Sequence, residues 1–220
     1  MCTIAAMPQS LTPALSCAQV RYVVFAASWA SFATMAVEML FARIVASYFG
    51  SGIAVWGSII TVLLLAMAAG YLWGGKLSQR SVVHPTRFYQ LLLWLACTLV
   101  PMVLISDLIL SEITYWMTDS RYGSLLGASL LLAAPGWFAG SLTPYAMRLI
   151  VTRVEEAGAR AGLLSAMTTL GAAAGTILPS YYLVLWWEIN TILLGLVIMT
   201  AAIAGLPWLL WSNTAAPALK

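Results

Sequence analysis

Two residues of opposite charge stand inside an apolar stretch where neither is easily tolerated: Glu38 and Arg43, within the run Val23 to Ala46. A carboxylate in hydrocarbon must be protonated, paired or turned toward a wet cavity, so an intramembrane acid is by default a functional-site hypothesis. Glu38 lies about ten residues inside the end of its run, which at 1.5 Å per residue is ~15 Å deep. Arg43 follows five residues later, about 140° around a helix, which is poor geometry for a pair on one helix. Each is therefore expected to meet a neighbouring helix, although Arg43 can also snorkel to the interface. Two readings of Glu38 meet the same energetic demand: a structural interhelical hydrogen bond, or a site for a substrate or proton.

The other polar residues offer less chemistry. Tyr71, Tyr145, Tyr181 and Tyr182, with Thr168, Thr169 and Thr176, are candidates for a polar seam, but hydroxyls that bond back within their own helix need no ligand. His84 stands beside Pro85 in a short loop, where a lone histidine is usually solvated. Cys2, Cys17 and Cys97 share no metal-binding or disulfide spacing, so no metal and no cofactor is expected. With no paired carboxylates, no nucleophile and base, no H-E-x-x-H and no phosphate loop, enzymatic activity is not expected either.

What must position these residues follows from composition. Of 220 residues, 62% are hydrophobic and 8% charged, with ten Lys and Arg, seven Asp and Glu and one His, and the mean hydropathy is +0.94. Soluble domains carry about 25% charged residues, three times as many, so this chain lacks the polar surface to sit in water as a globule. It reads as an all-α integral membrane protein with no stretch of ordinary composition long enough for a soluble catalytic domain. The net charge of +3 comes from basic residues scattered at the ends of apolar runs, which is a topology signal and not a nucleic-acid surface.

Charged residues cut the chain into spans. Uncharged runs of 32, 26, 27 and 31 residues separate Arg43 from Lys76, Arg121 from Arg148, Arg160 from Glu188 and Glu188 from Lys220, and 19 residues separate Arg87 from Asp107. Each run is close to or above the ~20 residues needed to cross a bilayer as a helix. With the stretch holding Glu38, this predicts six transmembrane helices, over 22–48, 53–77, 88–110, 123–149, 161–186 and 190–211. Residues 1–20 and 213–220 are expected to be tails flanking a six-helix domain over 21–212. Arg21, Lys76, Arg80, Arg87, Arg148, Arg153, Arg160 and Lys220 then fall on one side and only Arg121 on the other, which puts both termini in the cytoplasm. A periplasm-active reporter fused after Arg80 or Arg160 should accordingly be silent, and a strong signal from either fusion would refute the six-helix topology.

Small residues mark where helices touch. Ala66, Gly70 and Gly74, then Gly136 and Gly140, then Gly171 and Gly175 recur at four-residue spacing and clear one face of the second, fourth and fifth helices. Three such stripes exceed what a six-helix bundle obviously needs, so part of this surface is expected to face another protein. Pro101, Pro135, Pro144 and Pro179 each remove a donor inside a span and predict bends in the third, fourth and fifth helices.

Several of these residues also stand in recognisable blocks. Glu38-Met39-Leu40-Phe41-Ala42-Arg43, Tyr48-Phe49-Gly50, Val55-Trp56-Gly57 and Ala69-Gly70-Tyr71-Leu72-Trp73-Gly74-Gly75-Lys76-Leu77 resemble the membrane portion of the fused major-facilitator-like/spermidine synthase family. So do Ser141-Leu142-Thr143-Pro144-Tyr145-Ala146-Met147-Arg148-Leu149, Gly162-Leu163-Leu164-Ser165-Ala166 and Thr169-Leu170-Gly171-Ala172-Ala173-Ala174-Gly175-Thr176. The resemblance covers most of residues 30–180. It implies a six-helix half of the major-facilitator type in the bacterial cytoplasmic (inner) membrane, and it departs from the transporter signature where Gly75-Lys76 stands in place of an Asp after the glycines. Fused members continue into an aminopropyltransferase-like domain, which this sequence does not contain. Two functions are then expected: an accessory subunit packed against a larger membrane complex, or a half-transporter that pairs with a second copy and carries a small cationic solute such as a polyamine, with Glu38 as counter-charge.

Overall fold

The computed structural model describes residues 15–79 and 83–209, with the backbone alone of 210–211. The expected tails, apart from residues 15–20, and Arg80 lie outside the described residues. Six helices follow in order: α1 Cys17–Phe49, α2 Ile53–Ser78, α3 Pro85–Trp116, α4 Ser120–Ile150, α5 Ala157–Trp186 and α6 Ile189–Trp211. All six are long and apolar enough to cross a membrane.

The helix ends correct several expected boundaries, with α3 and α5 also starting three and four residues early, at Pro85 and Ala157. Residues 17–20, assigned above to a tail, are helical, because Ser16 and Gln19 close a capping box: Gln19 N–H donates to Ser16 Oγ at 3.3 Å and Ser16 N–H to Gln19 Oε1 at 2.9 Å. Helix α3 runs past residue 110 to Trp116, through Asp107 and Glu112. Charge ends an apolar run without ending a helix, and no breaker stands there until the extended backbone of Met117. Helix α4 starts at Ser120 because the Asp119 carboxylate caps it, accepting from Arg121 N–H at 2.9 Å. The expected loop over 111–122 shrinks to residues 117–119.

Burial ranks the helices. In their most apolar windows 61% of α1 and 56% of α4 is buried against 11% of α5, which places α1 and α4 at the centre and α5 at an edge. Helix α2 lies along α4, α1 along α5, α3 bridges α4 and α6, and α1 meets α4 in the middle. Exchanging the first three helices for the last three maps the α1–α5 contact onto α4–α2 and the α3–α4 contact onto α6–α1. The pattern of which helices touch thus repeats between the first three helices and the last three. Two buried clusters fill it, one around Phe41, Ile59, Met102 and Leu132, the other around Phe88, Leu92, Leu142 and Tyr145.

The small-residue stripes form the two long seams. A Cβ added to Gly140 would lie 2.9 Å from Met67 Cα, one added to Gly74 2.7 Å from Ser141 Cα, and one added to Gly136 3.0 Å from the Ala66 Cβ. Gly70 faces the Trp137 carbonyl in the same way. On the other seam Gly171 and Gly175 sit against the Ser28 and Phe32 carbonyls of α1, and Ser28 Oγ donates to the Met167 carbonyl at 2.6 Å. Each stripe is thus spent inside this chain. The expectation that part of this surface faces another protein is corrected: a spacing pattern shows that a close contact exists, not which helix makes it.

Among the described residues, proline changes the helical hydrogen-bonding pattern at one site. Pro101, Pro135, Pro144 and Pro207 are accommodated within α-helical segments, whereas Pro179 opens a π-helical turn over Leu178–Leu183 inside α5. There the Val184 N–H reaches the Pro179 carbonyl, five residues back.

Candidate functional site

Helical spacing puts Ala27, Ser31, Thr34 and Glu38 on one face of α1, at steps of three and four residues. This face borders a cavity of about 240 Å³ bounded by Ser31 and Thr34 of α1, Met67 and Tyr71 of α2, Thr143 of α4, and Thr168 and Thr169 of α5. A second cavity, of about 280 Å³, continues along α1 past Met39, Ala42 and Arg43, with Trp56 of α2 and Ser180 of α5 on its other side. Glu38 stands one turn after Thr34 and one turn before Ala42, between the stretches of α1 that line the two cavities, and lines neither itself. The groove opens outward along the bundle, since Tyr71 is 43% exposed and Arg43 is exposed.

Glu38 is only 7% exposed, and among the described residues no side chain or backbone group hydrogen-bonds to it or pairs with it. The ion pair found among the described residues is Arg160 to Glu156, 2.8 Å apart and four residues apart on a different helix end. Arg43 turns into the second cavity and does not reach Glu38 as an ion pair. Among the described residues neither charge has the neighbouring-helix partner expected of it, and a largely buried carboxylate is left between the two cavities.

Of the expected polar seam, Tyr71, Thr168 and Thr169 line the cavity, although Thr168 also bonds back to the Leu164 carbonyl at 2.9 Å. Tyr145 is buried elsewhere and ties α4 to the loop before α3, its hydroxyl donating to the His84 carbonyl at 3.1 Å. Tyr181 and Tyr182 are 70% and 58% exposed, and Thr176 bonds back to the Ala172 carbonyl at 3.0 Å. Ser31 and Thr34 escaped the sequence reading, although their three- and four-residue steps to Glu38 were in plain view. Thr143 had no such signal, because its place opposite α1 depends on tertiary packing.

Among the described residues no three His, Cys, Asp or Glu side chains come together as metal ligands, and Cys17 and Cys97 are exposed thiols. A second unforeseen link is Tyr48 of α1, whose hydroxyl donates to Asp107 Oδ1 of α3 at 3.1 Å. It accounts for one of the two acids in the second half of α3.

Comparison with family models, curated proteins and solved structures returns no match for this chain. What the fold and sequence establish is a class: a polytopic, all-helical membrane protein with six candidate spans, which implies a lipid bilayer around it.

Proposed function

We propose that the groove across α1, α2, α4 and α5 is one wall of a solute path, completed when a second copy of the chain in the same orientation packs against it. The observation that carries this reading is Glu38, largely buried on α1 between the stretches that line two hydroxyl-bearing cavities, with no partner among the described residues. A lone bundle in lipid would turn Tyr71, Thr169 and Arg43 toward hydrocarbon, whereas two bundles face to face enclose them around water or solute. The resemblance to the membrane portion of the major-facilitator-like/spermidine synthase family points the same way, since a six-helix half makes a transporter only in pairs. In this half-transporter Glu38 neutralises a small cation such as a polyamine, and the protein does no covalent chemistry.

The accessory-subunit reading uses the same face, because the small-residue stripes that favoured it are occupied within the chain. Cross-linking separates the two. With Cys2, Cys17 and Cys97 replaced by Ser, a Thr169→Cys variant oxidised in native membranes should form a disulfide-linked species of twice the chain mass. Leu104→Cys, 73% exposed on α3, should not. A Thr169→Cys adduct to a different protein would replace the homodimer with an accessory role, and a lone monomer from both variants would overturn both readings.

A further inference from the structure

Away from this groove, a cleft of about 350 Å³ runs between α2, α3 and α4, lined by Trp73, Arg87, Gln90, Leu91, Trp94 and Phe138. The volume falls in the ~300–1,000 Å³ range of small-ligand sites. Its chemistry is graded along its length. Arg87 is the third residue of α3, at the end of the bundle to which the basic residues belong, and Trp94 lies seven residues further in, ~10 Å by helical rise. The inner wall is aromatic and comes from three helices: Trp94 stacks on Phe138 with ring centroids 6.2 Å apart and planes at 14°, and Trp73 meets Phe138 edge-on at 6.4 Å. These rings are not closed over by protein, since Trp94 is 58% exposed and Trp73 36%.

Charge selects the occupant. Arg87 is half-buried, and among the described residues it has no carboxylate partner. Of the acids near this end, Glu156 is already held by Arg160, and no described ion pair joins Glu155 to Lys76, Arg87, Arg148 or Arg153. Lys76 stands three residues beyond Trp73, on the adjoining side of α2. A guanidinium that no described carboxylate pairs with, at the mouth and over an exposed aromatic wall that runs toward the membrane interior, matches an amphiphile with an anionic head. Guanidinium forks suit phosphate oxygens, and interfacial tryptophans suit the glycerol and upper acyl region. We propose that this cleft seats one anionic phospholipid, its phosphate against Arg87 and an acyl chain over Trp94 and Phe138. The site lies on the opposite flank of the bundle's α2–α4 pair from the solute groove and is independent of the function proposed above.

The test is native mass spectrometry of the full chain released from nanodiscs containing equal phosphatidylglycerol and phosphatidylcholine. Wild type should retain one phosphatidylglycerol in preference to phosphatidylcholine by at least tenfold. Arg87→Gln should lose that preference, while Arg21→Gln, a basic residue outside the cleft, should keep it. Trp94→Leu conserves hydropathy and removes the ring, and should reduce retention of the same lipid severalfold without altering insertion. Equal retention by Arg87→Gln and Arg21→Gln overturns the proposal, as does thermal stabilisation by inorganic phosphate equal to that by short-chain phosphatidylglycerol, which would assign the mouth to a free anion. If Arg87→Gln does not fold, the same comparison between wild type and Trp94→Leu still decides.

Discussion

Replacing Gly140 by leucine should unfold the bundle, with a loss of about 3 kcal/mol or more, the upper end for overpacked cores. The side chain would have to grow into the α2 backbone at Met67, whose Cα stands 2.9 Å from the new Cβ, so no rotamer change of a neighbour relieves it. Helices α2 and α4 would have to separate along their whole seam, because Gly70, Gly74 and Gly136 meet the opposite helix in the same way. Gly171→Leu combined with Gly175→Leu should do the same to the α1–α5 seam. Gly57→Leu and Gly195→Leu are the controls, since nothing lies within 4 Å of a Cβ at either position, and they should stay within about 0.5 kcal/mol of wild type. Thermal unfolding in mild detergent reads all of these. If Gly140→Leu melts like wild type and changes only the oligomeric state, the stripe faces a partner and the seam described here is wrong.

The same seams show how far a membrane sequence can be read. Six spans were legible because charge is so scarce that most charged residues mark a boundary of hydrocarbon, as Lys76, Arg121 and Arg148 do. Helix ends were less so, because they obey different physics. Ser16 and Gln19 end α1 through hydrogen bonds that hydropathy does not register, and α3 carries Asp107 and Glu112 within its helix because 32 residues span ~48 Å, well beyond a ~30 Å hydrocarbon core. Glycine spacing announced close contacts and was silent on their partners. Glu38 was legible as an anomaly, since one acid in an apolar run needs no structure to be noticed. What surrounds it was not legible: Thr143, Thr168 and Thr169 reach the groove from helices more than a hundred residues away in sequence.

The surroundings of Glu38 fix the expected behaviour of its variants. Had an interhelical partner held the carboxylate, Glu38→Leu would strand that partner and cost stability. With no such partner among the described residues, the largely buried carboxyl is itself the burden, and leucine of similar size should raise detergent stability by about 1 kcal/mol, the low end of the desolvation range, since the fully buried unpaired side-chain atom among the described residues is the Tyr89 hydroxyl and not a Glu38 oxygen. Glu38→Gln keeps shape and polarity and should stay near wild type. Function should move the opposite way, as it does when a destabilising group is retained for its role. A cation bound against a desolvated carboxylate loses about 3–5 kcal/mol when the charge is removed, more than a hundredfold in affinity. Uptake of radiolabelled spermidine into proteoliposomes should therefore fall to background in both Glu38→Leu and Glu38→Gln, and survive in part in Glu38→Asp, which keeps the charge. A marked destabilisation of Glu38→Leu would return Glu38 to a structural role in the bundle. Normal uptake by Glu38→Gln would leave the groove without its counter-charge and remove cation transport as the reading of this face.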